Sequence, residues 1–108
     1  MNYKVELSPN FKKEAKRLSK KYASLKQELK GLFTELESNP TKGTPIGKSC
    51  YKIRVSVASK GKGKSGGARI ISFVKVTKTT VILLSIYNKG EQDDISNKEL
   101  LQRLKKYE

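Results

Sequence analysis

The chain of 108 residues contains no histidine and a single cysteine, Cys50. Histidine is a common metal ligand and the usual proton carrier near neutral pH, so its absence excludes most zinc sites and every His-dependent catalytic arrangement. One cysteine allows no disulfide within the chain, and a cysteine nucleophile would lack its usual base. We therefore predict that Cys50 is a packing residue, and we expect neither a metal ion nor a cofactor.

Long apolar runs are also missing. No stretch reaches the length of a membrane span, and the N-terminus has no charged and then apolar segment typical of an export signal. We expect a cytoplasmic protein with no membrane partner, and the length favours a single domain over residues 1–108. Hydrophobic residues make up only 35% of the chain, but their periodicity indicates a folded protein.

Acidic residues are absent from the middle of the chain, between Glu37 and Glu91. Residues 38–90 contain eleven basic residues, so this stretch supplies +11 of the formal net charge of +14. Such a concentration of positive charge predicts a polyanionic partner, with nucleic acid as the first candidate. The alternative is a solvated basic face that binds nothing.

The first 50 residues predict a strand followed by two helices. Alternating apolar residues indicate a strand over residues 2–7, and Ser8 before Pro9 is typical of a helix start. The outer face of this first helix is rich in lysine, which is either solvated or rests against RNA. Ser24 and Gln27 have the spacing of a capping box for a second helix, which ends before Pro40. We interpret residues 41–47 as a loop.

Residues 51–71 predict a basic β-hairpin. Alternation from residue 51 to 57 places Lys52 and Arg54 on one strand face and the apolar residues on the other. A loop of glycine and lysine follows, too long for a two-residue turn. The return strand begins with Arg69, so both strands of the hairpin contribute cations to one small surface.

The last third predicts a central strand and a closing helix. The run from Val81 to Tyr87 is apolar and rich in β-branched residues, as in strands that are covered on both faces. Ser96 and Glu99 form a second capping box before an apolar helical stripe. The order β-α-α-β-β-β-α predicts an α+β fold with a four-stranded, mainly antiparallel sheet. We expect the helices mainly on one face, which leaves the other face open for chemistry.

Five side chains at strand ends are candidates to surround one phosphate: Lys52, Arg54, Arg69, Tyr87 and Lys89. RNA carries its own nucleophile, the 2′-hydroxyl, so a cleaving site has only to align it, neutralise charge and move two protons. Arginine stays protonated and suits charge stabilisation. Lys52 is the first candidate for proton transfer, because neighbouring cations favour its neutral amine, and Tyr87 is the second. Alternatively, Lys52 is a solvated lysine and Tyr87 an amphipathic residue at a strand end.

Three segments, residues 50–55, 58–71 and 84–89, resemble the RelE/ParE superfamily of bacterial type II toxins, and the glycine-lysine loop is most similar to its HigB-like members. The resemblance implies a ribosome-dependent endoribonuclease that cleaves mRNA in the ribosomal A site, leaves a 2′,3′-cyclic phosphate, and is inhibited by a cognate antitoxin. It implies that Lys52 and Arg54 match the paired basic residues of the family, that Arg69 matches its transition-state arginine, and that Lys89 matches a further basic residue.

Some members of the superfamily use a tyrosine at the start of the last helix as general base, whereas this chain has Asp94, Ile95 and Ser96 there. The base therefore stays open between Lys52 and Tyr87. Four lysines are predicted to contact RNA or the ribosome: Lys48, Lys60, Lys62 and Lys64. The alternatives to an RNA-cleaving toxin are a DNA gyrase inhibitor of the ParE type and a non-catalytic RNA- or ribosome-binding module.

Overall fold

A computed structural model describes residues 2–60, 67–92 and 94–108. Within these residues it contains the helices α1 (Pro9–Lys21), α2 (Leu25–Ser38) and α3 (Asn97–Lys105). The strands are β1 (Lys4–Leu7), β2 (Thr44–Gly47), β3 (Cys50–Val55), β4 (Ala68–Lys75) and β5 (Thr80–Asn88). Short 3₁₀ turns occupy Ala58–Lys60 and Val76–Lys78.

The five strands form one sheet in the order β1-β5-β4-β3-β2. β1 runs parallel to β5, and the other neighbouring strands are antiparallel. The predicted α+β fold with a mainly antiparallel sheet is confirmed, but the sheet has five strands instead of four. The additional strand, β2, lies in the segment for which the sequence predicts a loop, because Pro45 and Gly47 weaken the strand pattern. Its position at the sheet edge is where proline is tolerated.

The predicted starts of α1 and α3 are confirmed. Ser8 Oγ accepts a hydrogen bond from the backbone N–H of Phe11 at 3.1 Å, with Pro9 in the first turn. Ser96 Oγ accepts one from Glu99 N–H, also at 3.1 Å. Each hydroxyl satisfies one of the backbone donors that a helix leaves unpaired at its N-terminus.

The predicted capping box at Ser24 is wrong. The Ser24 backbone already has helical angles (φ −78°, ψ −13°), and its side chain makes no cap. Instead, Ser24 Oγ donates to Glu28 Oε1 at 3.2 Å and accepts from Ser59 N–H at 3.0 Å. Glu28 Oε2 accepts from Ala58 N–H at 2.8 Å. The two side chains therefore anchor the backbone that follows β3 to the start of α2.

Apolar cores lie on both faces of the sheet. On one face, α1 and α2 pack against alternate residues of β3, β4 and β5, with Phe11, Leu18 and Leu36 fully buried. On the other face, Leu100 and Leu104 of α3 pack with Ile71, Phe73, Ile82 and Leu84. The prediction that β5 is covered on both faces is confirmed. The prediction of an uncovered second face is wrong, because α3 occupies part of it.

One arginine connects α3 to the rest of the fold. Arg103 donates to both carboxylate oxygens of Glu14 on α1, at 3.0 and 2.9 Å, and to the carbonyl of Leu84 on β5 at 3.0 Å. It also donates to Glu99 one turn earlier at 2.9 Å. The Arg103 side chain is 13% exposed, so this ion cluster is largely shielded from solvent.

Candidate phosphate-binding active site

Arg54, Arg69 and Tyr87 occupy directly opposite positions on β3, β4 and β5. Residues opposite each other in an antiparallel ladder point to the same face, with Cβ atoms about 5 Å apart. Tyr87 packs in the core under α3, so all three side chains belong to that face of the sheet. Lys52 lies two residues before Arg54 on β3 and shares the face. The structure thus brings together four of the five candidate residues.

Burial differs sharply along this row. Arg69 is 6% exposed, and its Nη1 donates to the carbonyl of Ala68 at 3.2 Å, whereas Arg54 is exposed. A charge in a partly dry environment exerts a stronger field than one in water. Arg69 is therefore placed to interact with a bound anion from the buried side of the site, while Arg54 is placed to interact with it from the solvent side.

Asp94, in the segment between β5 and α3, contacts two of the candidate residues. Its Oδ1 lies 2.9 Å from Lys52 Nζ and accepts a hydrogen bond from Tyr87 Oη at 3.2 Å. The same oxygen accepts from the backbone N–H of Ile95 at 2.8 Å. Sequence reasoning did not select Asp94 as a site residue. The available signal was its position where some superfamily members carry their catalytic tyrosine.

The ionisation states follow from these contacts. Burial raises the pKa of the Tyr87 phenol to about 12, and the charge of Asp94 and the hydrogen bond to it act in the same direction. The hydrogen bond from Lys52 holds the pKa of Asp94 below its ordinary value, assisted by the Ile95 N–H and the Tyr87 hydroxyl. At neutral pH the phenol is therefore protonated and the carboxyl group is ionised.

Lys89 and Lys48 lie at opposite ends of the sheet. Lys89 is in the turn after β5, and its backbone N–H donates to the carbonyl of Gly67 at 3.1 Å, next to the start of β4. This is the end at which Arg54 and Arg69 lie. Lys48 is in the turn between β2 and β3, and the part of β3 from Cys50 to Arg54 alone spans roughly 13 Å. Lys48 thus does not join the row of candidate residues.

The side chain of Lys60 and the whole of Lys62 and Lys64 lie outside the described residues.

Cys50 is buried on the α3 face, as predicted for a packing residue, and its burial raises the pKa of the thiol to about 11. In the described ranges, no group of three or more Cys, Asp or Glu side chains converges in a way that would hold a metal ion.

A cleft of about 380 Å³ opens beside Lys52 and Arg54 and is also lined by Lys42, Gly43 and Thr44. Gly43 has a φ of +108°, and a Cβ there would lie 2.5 Å from the carbonyl oxygen of Lys52. Glycine therefore permits the close approach of this segment to β3. A larger apolar groove of about 600 Å³ lies between α1 and α2, and no candidate site residue lines it.

Comparison with known proteins decides the family. The sequence model of the RelE toxin of the RelE/RelB toxin–antitoxin system matches residues 10–107. The chain belongs to the RelE toxin family. It is a RelE/ParE-superfamily type II toxin, as the sequence resemblance predicted.

Solved RelE structures share the fold of this RelE-family toxin at low sequence identity. An Escherichia coli RelE double mutant in the free state is 20% identical, with a TM-score of 0.66 and full coverage of both chains. The intact E. coli RelBE complex is 20% identical over 80% of this chain and 95% of that chain, with a TM-score of 0.60. The RelBE2 complex of Mycobacterium tuberculosis is 16% identical over 82% and 99%, with a TM-score of 0.59.

The helices of this RelE-family toxin are short and rich in charge. None of those in the described part of the chain has the length and apolar character required to cross a membrane.

Proposed function

We propose that this RelE-family toxin is a ribosome-dependent endoribonuclease that cleaves mRNA in the ribosomal A site and so inhibits translation. The observation that carries the proposal is the row of Arg54, Arg69 and Tyr87 across three strands, with Lys52 beside it. Cations on neighbouring positions of one sheet face match the charge of a single backbone phosphate and the extra negative charge of its transition state. Membership of the RelE family supports this chemistry.

In the proposed reaction the 2′-hydroxyl of one nucleotide attacks the adjacent phosphorus. The bond from O2′ to phosphorus forms, the bond from phosphorus to O5′ breaks, and the products are a 2′,3′-cyclic phosphate and a 5′-hydroxyl. Arg54 and Arg69 stabilise the charge on the non-bridging oxygens, since both remain cationic throughout. Lys52, as an ammonium group, protonates the departing O5′.

Tyr87 and Lys89 have supporting roles in this proposal. Because the Tyr87 phenol is protonated, it is a hydrogen-bond donor to the phosphate or to Asp94 and not a ready base. Lys89 follows β5 at the same end of the sheet and adds positive charge for the RNA strand. Lys48, Lys60, Lys62 and Lys64 are proposed to contact ribosomal RNA through phosphate groups, so affinity should fall as salt rises.

A cognate antitoxin is the proposed protein partner. The related structures include E. coli RelE in complex with an antitoxin RelBc peptide and the RelBE complexes described above. The antitoxin either covers the basic face or displaces α3 from the sheet. Hydrogen exchange at Leu100 and Leu104 separates these modes, because displacement exposes both residues while covering protects them. The proposed site of action is the cytoplasm, where the ribosomes are.

The test is incubation of the purified toxin with ribosomes programmed with a defined mRNA, and separately with the free mRNA, followed by sequencing of the ends. We expect cuts at the A-site codon only when ribosomes are present. A gyrase inhibitor would leave transcripts intact and damage DNA, and a non-catalytic binding module would bind ribosomes without producing fragments. Either result would contradict the proposal.

A further inference from the structure

The two oxygens of the Asp94 carboxylate have different surroundings. Oδ1 is engaged by Lys52, Tyr87 and Ile95 N–H, at 2.9, 3.2 and 2.8 Å. Oδ2 has no hydrogen-bond partner among the described residues, and the side chain is 57% exposed. The carboxylate is therefore held in position by one oxygen while the other is available to a group that enters from solvent.

This ion pair is not explained by stability. The side chains of Lys52 and Asp94 are 26% and 57% exposed, and ion pairs in such positions contribute little to folding. The contact also places a negative charge beside a site whose other groups favour an anion. A carboxylate in this position is expected if it takes part in proton transfer.

The other candidates for the base are unsuited to that role. Tyr87 is 3% exposed and its phenol holds its proton at neutral pH. Lys52 donates to Asp94 as an ammonium group, which makes it an acid in this arrangement. Glu91 lies in the same segment, but its carboxylate oxygens face Arg17 and Lys21 at 3.6 Å, on α1. Among the described residues, Asp94 is the ionised acceptor in contact with the candidate site.

We propose that Asp94 is the general base of the cleavage reaction and that Asp94 and Lys52 form its acid–base pair. The inference rests on the proposed endoribonuclease function. The Asp94 carboxylate takes the proton of the 2′-hydroxyl as O2′ bonds to phosphorus, and the Lys52 ammonium gives a proton to O5′ as its bond to phosphorus breaks. Because the two groups are in direct contact, the proton then passes from the carboxylic acid to the amine, which restores the starting state without a further reactant.

The test uses Asp94→Asn, which keeps the shape and an acceptor for Ile95 and Tyr87 but does not accept a proton at neutral pH. We expect single-turnover cleavage on programmed ribosomes to fall by about 100-fold or more. Ribosome affinity should stay within about twofold of wild type, because the basic residues are unchanged. Glu91→Gln is the matched control, with a carboxylate removed from the same segment, and it should cleave like wild type.

The pH profile gives a second readout, which a purely structural role would not change. The groups facing Asp94 are Lys52 on β3 and Tyr87 on β5, with Arg69 on β4 next to Tyr87. With Asp94 as base, the single-turnover rate should be nearly flat from about pH 6 to about pH 8.5. With Tyr87 or neutral Lys52 as base, the rate should rise about tenfold for each pH unit.

The outcomes distinguish a failure of the assignment of Asp94 as base from a failure of the proposed endoribonuclease function. If wild type cleaves and Asp94→Asn cleaves within about threefold of it, the assignment of the base is overturned and the endoribonuclease function stands. Faster cleavage by Asp94→Asn would show that the carboxylate obstructs the phosphate, which also overturns it. If wild type binds programmed ribosomes but leaves the mRNA intact, the function itself is contradicted, and the base assignment falls with it.

Discussion

Arg54 and Arg69 face each other directly across the β3–β4 ladder. Like charges in opposite positions destabilise a sheet, so folding alone does not explain two guanidinium groups there. Their arrangement is explained if a phosphate group lies between them when the toxin binds RNA. The pair is therefore expected to lower the stability of the free toxin and to contribute to RNA binding.

Replacing Arg54 should stabilise the protein while reducing its activity. In Arg54→Gln the repulsion is removed, and we expect the free energy of unfolding to rise by about 0.5 kcal/mol in urea titrations. Cleavage on ribosomes should fall by about 100-fold, because one cation facing the phosphate is lost. Lys78→Gln, which removes an exposed charge from the turn before β5, is the control and should change neither quantity. Unchanged cleavage by Arg54→Gln would remove this residue from the site.

Tyr87→Phe tests whether the phenol is more than a hydrogen-bond donor. Because the Tyr87 hydroxyl is protonated at neutral pH and acts only as a donor, its loss should reduce cleavage by only about tenfold, the lower end of what is expected for one hydrogen bond to a charged acceptor. The measurement is single-turnover cleavage beside Asp94→Asn. A loss for Tyr87→Phe as large as for Asp94→Asn would instead place the base at Tyr87.

The ion pair of Lys52 and Asp94 should affect how the stability of the protein depends on pH in the acid range. The pKa of Asp94 is lowered in the folded state, so its contribution to stability is present above the ordinary carboxyl pKa of 3.8. That contribution is lost as the pH falls through the lower, folded-state pKa. Since the side chain is more than half exposed, we expect it to be below about 1 kcal/mol. Melting curves of wild type and Asp94→Asn should differ at pH 7 and converge in strong acid; a constant difference would argue against the pair.

Arg103 should matter for stability more than any exposed lysine of α3. Arg103→Met leaves Glu14 partly buried without its cation, and we expect the free energy of unfolding to fall by about 2 kcal/mol. Adding Glu14→Gln should recover part of this loss, because the unpaired charge is then removed. Lys105→Met, on the same helix, is the control. Additive effects of the two substitutions would show that Arg103 and Glu14 do not interact.

The elements that could be predicted from the sequence are those set by neighbouring residues. Ser8 and Ser96 cap helices through contacts three residues away, and the alternation from residue 51 to 57 requires only the strand period. The same alternation predicts that Lys52 and Arg54 share one strand face. The predicted hairpin then places Arg69 close to them, as the β3–β4 pairing shows.

What could not be predicted depends on contacts between distant residues. The partner of Ser24 is Ser59, 35 residues away, and this contact replaces the expected cap. Apolar spacing shows that α3 has a buried face, but not which side of the sheet it covers. Asp94 is part of the candidate site because it contacts Lys52 on β3 as well as Tyr87 on β5, and the local sequence around Asp94 does not indicate the contact with Lys52. The roles of Lys62 and Lys64 remain predictions.

The most direct measurement is the chemistry of the mRNA ends produced on programmed ribosomes by wild type and by the double variant Lys52→Ala with Arg69→Ala. We expect 2′,3′-cyclic phosphate ends at the A-site codon with wild type and no such ends with the double variant, although both bind the antitoxin. Equal cleavage by the two proteins, or intact mRNA with a wild-type toxin that is bound to the ribosome, would contradict this expectation.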